Sequence, residues 1–392
     1  MKKILLIGLF SVAPAALFAA LYGDTPDSRH AWAVHDKNRP NPVKVTAEPG
    51  RPPSDAVVLF DGSRESFEKN WCDSKGNVSK WSCNGDGTFF CRPGYVNGGQ
   101  IRTRGEFGDC QLHLEYRHDA DIKDHPAGAQ MRGNSGIFLM SNYEIQVLES
   151  YYTDPADMRV PNYADGQAGA VYAENPPMVN PARKPGEWQT YDIVFHQPVW
   201  DGLRLVHPGS VSVFFNGVLV QDHWELEGLT THCVRRPLAP HATVAPLMLQ
   251  DHGCTVYFRN VWLRPLPSRW DNTVHSAMSA DENDVMKLRR ETAGRLFAGI
   301  ADPSAPTADN VQALAEVVSY AMEGGQKEAW EKAVAGYLAA VSAKSDAELK
   351  ASAGELVKVR NSLRVLERNG LIPHRFALLQ RLEAFSVKFG WK

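Results

Sequence analysis

The chain has 392 residues and a formal net charge of −3, with 43% hydrophobic and 22% charged residues. That composition supports packed cores and excludes the disordered and collagen-like classes. The slightly acidic balance offers no basic face for a nucleic acid, and the length accommodates two domains.

In chain order, Lys2 and Lys3 precede an apolar run over 4–12 and small residues over 13–20, the pattern of a secretory signal ending near Ala19 or Ala20. Pro14 interrupts the run, which is short for a bilayer span. Residues 1–20 are therefore expected to be removed, leaving an exported, periplasmic chain with no membrane partner. Residues 21–54, rich in Pro, Asp and Arg and without periodicity, read as an extension or linker packed on the surface. Cys72, Cys83, Cys91, Cys110, Cys233 and Cys254 make an even count, which in an exported chain suggests disulfides whose pairing the spacing leaves open.

Residues 55–267 alternate short apolar or period-two runs with Gly, Pro, Asn and Asp, as in an all-β sandwich or barrel. Strands are expected at 56–60, 110–117, 136–140, 143–148, 168–173, 189–196, 210–215, 218–221, 247–251 and 256–263. Asn216-Gly217 marks a hairpin. Long loops near 119–134, 151–187 and 222–245 are of the length that usually carries function. Residues 268–392 change character: Val311, Leu314, Ala315, Val318 and Met322, then Leu356, Val359 and Leu363, recur at three-and-four spacing and predict four or five amphipathic helices. Asp309 and Asp346 are start signals, and Gly324-Gly325 and Gly370 stop signals. This tail carries no metal or nucleotide motif and suits packing or homo-oligomer formation.

Alternate side chains of a strand share a face. Gln111, His113, Glu115 and Arg117 oppose Leu112, Leu114 and Tyr116. Glu144 and Gln146 oppose Tyr143, Ile145 and Val147. Gln250 and His252 oppose Leu249, and Phe258 and Asn260 oppose Tyr257 and Arg259. A solvated outer face would also be polar, but acids, amides, Arg and His beside Trp188, Tyr172 and Tyr151 predict one merged ligand groove.

The ordered segments Leu59-Phe60-Asp61-Gly62, Asn134-Ser135-Gly136-Ile137-Phe138-Leu139, Tyr143-Glu144-Ile145-Gln146-Val147-Leu148-Glu149, Gly169-Ala170-Val171-Tyr172, Gly186-Glu187-Trp188, Leu249-Gln250-Asp251-His252 and Phe258-Arg259-Asn260-Val261 resemble the 3-keto-disaccharide hydrolase family over about 56–266. The resemblance implies a mainly β, concanavalin A-like jelly-roll sandwich with a helical C-terminal region. It also implies exported enzymes acting on glycosides already oxidised to a ketone at C3. Glu149 and Gln189 stand where that family often has Asp and Asn.

A C3 ketone acidifies the C2 proton, so a base can start β-elimination of the C1 substituent, and water addition completes a net hydrolysis. His252 or Glu144 is the candidate base, Arg117 the oxyanion partner and Glu149 the acid for the leaving oxygen. Gln146, Gln250, Asn134, Ser135, Glu115, Trp188 and Asp251 are candidate substrate contacts, although Asp251 also suits a turn before Gly253 and Trp188 a core position. No redox cofactor is needed; a divalent metal on Glu144 and His252 is the open alternative. Two rivals use the same groove. In a retaining β-glucanase the acidic strand would supply two carboxylates, but Gln146, in the middle of that strand, cannot ionise. The other rival is a non-catalytic carbohydrate-binding module.

Overall fold

The computed structural model describes residues 23–83, 85–91, 99–122, 129–152, 163–267 and 282–392. The expected signal segment lies outside them. The chain divides into two units, Lys44–Arg269 and a second made of Met1–Val43 with Trp270–Lys392.

In the first unit the period-two pattern builds β1 (Val57–Phe60), β2 (Trp71–Asp73), β3 (Ser82–Cys83), β4 (Phe89–Phe90), β5 (Ile101–Phe107), β6 (Cys110–Arg117), β7 (Ser135–Leu139), β8 (Tyr143–Val147), β9 (Gln189–His196), β10 (Ser210–Phe215), β11 (Val218–Glu225), β12 (Ala245–Leu249) and β13 (Tyr257–Pro265). An eight-stranded sheet runs β11-β10-β9-β6-β13-β4-β3, with β1 also on β13; a five-stranded sheet runs β2-β5-β12-β7-β8. Asn216 and Gly217 turn β10 into β11 with positive φ at both residues (52° and 79°), the geometry that makes Asn-Gly a hairpin signal. A short ribbon, Gly228–Leu229 with Arg236–Pro237, stands apart from both sheets.

The sheets meet through their apolar sides. Leu112, Leu114 and Tyr116 of β6 and Tyr191, Ile193 and Phe195 of β9 share one core with Ile137, Ile145, Val147, Leu247 and Leu249. The Tyr143 and Phe195 rings lie 5.7 Å apart across it. The Tyr191 hydroxyl donates to the Gln146 carbonyl at 2.9 Å, locking the sheets together through a satisfied buried polar pair. The result is the jelly-roll β-sandwich with a following helical region. Each sheet therefore has one polar face, and the two faces point away from each other.

Three details differ from the sequence expectation. Residues 168–173 are not a strand. Gly169 (φ 85°) and Ala173 (φ 62°) break the extended path, yet Gly169 N–H and Tyr172 N–H still donate to the carbonyls of Gln146 and Glu144, covering the edge of β8. Asn260 (φ 46°) forms a bulge in β13, where the register slips between Arg259 and Trp262. The bulge sends Arg259 and Asn260 to the same side instead of opposite sides. The six cysteines form no disulfide among the described residues, and Cys72, Cys83, Cys91 and Cys110 are buried, so the expected disulfides are not seen.

The second unit holds six helices among its described residues: Glu282–Ala298, Ala308–Tyr320, Gly325–Ala343, Asp346–Ala351, Ala353–Arg368 and Ala377–Phe389. Their apolar stripes form a core around Val311, Leu314, Leu356, Val359, Leu363 and Leu382. Asp309 and Asp346 sit in first turns, capped by Thr307 and by a Ser345–Glu348 capping box. Gly324 caps the start of a helix rather than stopping one. The expected linker 21–54 is split between the units. Ala31 and Trp32 are buried against Val285, Ala293, Val317 and Tyr320, and Asp36 accepts a hydrogen bond from the Tyr320 hydroxyl. Among the described residues no helix is long and apolar enough to cross a membrane.

Candidate functional site

The polar face of the five-stranded sheet carries the site. β7 and β8 pair with Phe138 opposite Glu144 and Gly136 opposite Gln146. Because Ile137, Ile145 and Val147 fill the core, these four residues point outward. A Cβ at Gly136 would collide with the Glu144 carboxylate, so glycine at that place is what gives the acid its room. Backbone bonds hold the acid's position: Glu144 N–H donates to Thr230 Oγ1 at 2.9 Å, and Tyr172 N–H to the Glu144 carbonyl at 3.0 Å.

A cleft of about 460 Å³ opens over this face. Phe138, Glu144 and Gln146 form its floor. The three long loops supply the walls: Gln130, Met131 and Asn134 from the first, Tyr163 and Tyr172 from the second, Thr230, Thr231 and His232 from the third, with Gln250 and His252 following β12. No Lys or Arg is among these lining residues. The amides, hydroxyls and rings of this lining suit a hydroxyl-rich ligand.

Glu144 is the most perturbed acid of the cleft. It is 4% exposed, no donor among the described residues reaches its carboxylate, and burial pushes its pKa up to about 8. Burial also lowers the His252 pKa, which keeps its imidazole neutral at pH 7. The side-chain oxygens of Asn134 and Gln250 are buried and lack a hydrogen-bond partner among the described residues, an unsatisfied state that a ligand's hydroxyls would relieve. Gln146 is anchored instead: its amide nitrogen lies 3.3 Å from both Gln130 Oε1 and the Gly166 carbonyl.

A chain of polar contacts crosses the mouth. The Tyr163 and Tyr172 hydroxyls are 3.1 Å apart, Tyr172 Oη is 2.8 Å from His232 Nδ1, and His232 Nε2 is 3.1 Å from Cys233 Sγ. Burial, aided by the neighbouring Tyr163, raises the Tyr172 hydroxyl pKa, so it holds its proton at neutral pH.

The structure thus brings Glu144, Gln146, Asn134, Gln250 and His252 together, and leaves the other predicted site residues elsewhere. Arg117, Glu115 and Trp188 lie on the outward side of the eight-stranded sheet. Arg117 packs over Trp188 and Tyr257, and Glu115 bonds Arg259 and Asn260. The predicted merged groove therefore does not form, because β6 and β8 belong to different sheets whose polar sides diverge. Glu149 is buried and ion-paired to Arg132, with Tyr151 N–H donating to it, so it does not line the cleft. Ser135 is buried and donates to the Gln250 carbonyl at 2.7 Å, a bond that shapes the loop after β12. Asp251 caps the turn at Gly253, whose N–H it accepts at 2.9 Å. Tyr163, His232 and Gln130 sit in aperiodic loops, where no sequence pattern marks them, and the only sequence signal of Tyr172 is that of an aromatic next to the polar strands. Among the described residues no group of three or more His, Cys, Asp or Glu side chains is assembled to hold a metal ion.

Comparisons with known proteins identify the family of the first unit. The family model of the 3-keto-alpha-glucoside-1,2-lyase-like domain matches residues 55–264. The crystal structure of a Parabacteroides distasonis protein provisionally named a glycosyl hydrolase is 36% identical, over 58% of this chain and 93% of that one, with a TM-score of 0.50. A second such protein from the same organism is 20% identical over 54% of this chain and 94% of that one, with a TM-score of 0.37. No curated protein matches the chain.

Proposed function

The chain belongs to the 3-keto-alpha-glucoside-1,2-lyase-like domain family, a carbohydrate-active group, and from that premise we propose that it is an exported enzyme cleaving 3-keto-glycosides by elimination across C1 and C2. The observation that carries the reading is Glu144: a carboxylate in the floor of a sugar-sized cleft, unshielded by donors, with its pKa raised to about 8.

In this reading ionised Glu144 takes the C2 proton, which the C3 ketone has acidified. The C–H electrons form the C2=C3 enolate. The pair displaced onto the C3 oxygen then reforms the ketone, the C2=C3 pair shifts to C1=C2, and the C1–O bonding pair leaves with the glycosidic oxygen. Tyr172 gives that oxygen its proton and is recharged through Tyr163 or His232. Neutral His252 and the Gln250 amide hold the C3 oxygen as charge develops on it; a neutral imidazole is the better partner here because it stabilises the enolate without acidifying the base beside it. Water added to the resulting enone at C1 gives the free 3-keto sugar, so lyase and hydrolase outcomes share one first step. A desolvated carboxylate is the stronger base toward a carbon acid, which is what burying Glu144 without donors achieves.

Glu144 and His252 are also the two side chains a divalent cation would use, the remaining ligands coming from water or sugar oxygens. Such an ion would supply electrophilic assistance at the C3 oxygen.

Matched substrates test the proposal. Methyl 3-keto-α-glucoside should be cleaved and methyl α-glucoside left intact, with unchanged turnover after chelation. Cleavage of plain β-glucan instead would overturn the keto-sugar reading. Loss of turnover on chelation, restored by a divalent metal, would move Glu144 and His252 from proton transfer to ligation.

A further inference from the structure

We infer that a second pocket beside the cleft receives the group leaving from C1, and that its walls select an apolar, aromatic aglycone over a second sugar. This rests on the elimination reading above. The pocket holds about 260 Å³ and shares Tyr172 and Thr231 with the cleft, so the two adjoin at the residue assigned to protonate the leaving oxygen. A substrate with its sugar ring over Glu144 and its glycosidic oxygen at Tyr172 has its C1 substituent on the far side of that tyrosine.

The pocket is built rather than a gap between loops. Its floor is the Gly228–Leu229 ribbon with Arg236–Pro237, drawn so close at Gly228 that a Cβ there would collide with the Arg236 carbonyl. The Glu174 carboxylate fastens the ribbon by accepting from Gly228 N–H at 2.9 Å, Glu227 N–H at 3.2 Å and Trp224 Nε1–H at 3.2 Å. Ala173, held at φ 62°, forms part of the wall; a side chain with a Cβ costs roughly 1 kcal/mol or more in that conformation, a strain of the kind that gathers at ligand sites.

The chemistry of the walls sets the ligand class. Leu229, Val234, Pro237 and Ala173 present apolar surface, beside the polar side chains of Thr231, Glu227, Arg235 and Arg236. Glu174 is spent on the ribbon. An aromatic ring gains from both kinds of wall, through apolar contact and through attraction to guanidinium cations, whereas a second sugar would leave part of its hydroxyl surface against the apolar groups.

The test uses the full chain and Val234→Asp, a change at a side chain that is 66% exposed and so tolerated by the fold. For phenyl 3-keto-α-glucoside, kcat/KM should fall about tenfold from wild type to variant, mainly through KM, the size expected for one lost apolar contact. For methyl 3-keto-α-glucoside the same ratio should stay near one, which also reports an intact fold. Equal losses on both substrates, or no loss on either, overturn the aglycone pocket. If wild type cleaves neither keto-glucoside, the elimination reading fails by itself. Calorimetry with unoxidised phenyl and methyl α-glucoside then still decides the pocket: tighter phenyl binding that Val234→Asp abolishes supports it, and equal affinities refute it.

Discussion

The two outward faces of the sandwich carry the same kinds of side chain and treat them in opposite ways. On the eight-stranded sheet, Glu115 meets Arg259 Nε at 2.7 Å and Asn260 Nδ2 at 2.9 Å, and His113 meets Asp192 at 2.7 Å while stacking on Trp262. Burial would raise the Glu115 pKa, but the bonds from His113, Asn260 and Arg259 outweigh it and hold the acid down at about 2. Burial would likewise lower His113, and Asp192 and Glu115 outweigh it, lifting the imidazole to about 9. On the five-stranded sheet Glu144 is left with burial alone and rises to about 8, while the side-chain oxygens of Asn134 and Gln250 have no partner among the described residues. The first set is mutually satisfied and already in its final charge state. The second is unsatisfied, and an unsatisfied constellation in a cleft is what a substrate completes.

The comparison breaks most sharply in turnover. Glu144→Gln should lower kcat/KM on a 3-keto-glucoside by about 10³-fold, within the range for removing a general base. Glu115→Gln and Arg117→Ala should change it by less than about twofold once folding is controlled. A comparable loss in Glu115→Gln would return the chemistry to the eight-stranded sheet. With Glu144 acting in its ionised form, kcat/KM should climb with pH and level off above about 8. A profile that instead falls through that range would make Glu144 the acid.

Next in size is the mouth of the cleft. Tyr172→Phe keeps the ring and removes only the proton donor. It should cost about 10²-fold for a methyl leaving group and far less for 4-nitrophenyl, which departs without protonation. Equal losses for the two leaving groups would reduce Tyr172 to a packing residue.

Much of this contrast was legible in the chain, but not the step that gives it meaning. Period two placed Glu144 with Gln146 on one side of β8 and His113 with Glu115 on one side of β6, and the structure keeps both sets. Alternation says which side chains share a face; it does not say to which sheet the strand belongs. β6 lies between β9 and β13, and β7 carries its hairpin partner β8 onto the other sheet by pairing with β12; these pairings join segments far apart in sequence that no local pattern encodes. Hence Arg117 and Glu115 appeared to belong with Glu144. The bulge at Asn260 erased the alternation that would have kept Arg259 and Asn260 apart. Tyr163, Tyr172 and His232 meet only because three aperiodic loops converge, so their long spans were the sole signal that they carried function.

The smallest effect, a matter of degrees in thermal unfolding, is the one that sets the two faces directly against each other. Glu144 has a folded-state pKa near 8 against an ordinary 4.5. Below about pH 4.5 both folded and unfolded chains hold that proton and it contributes nothing. As pH rises toward 8 the unfolded chain releases the proton while the folded one keeps it, so stability falls, and the full penalty is present above 8. Glu115, at about 2, has the opposite sign: its stabilisation is present above pH 4.5 and fades as pH falls toward 2. Glu144→Gln should therefore melt higher than wild type at pH 8, by about 5–10 °C, and much closer to it at pH 5. Glu115→Gln should melt lower at pH 6, with the gap narrowing below pH 4. A Glu144→Gln chain that is less stable than wild type at pH 8 would mean that the carboxylate has a stabilising partner, and that the two faces differ less than their hydrogen bonds imply.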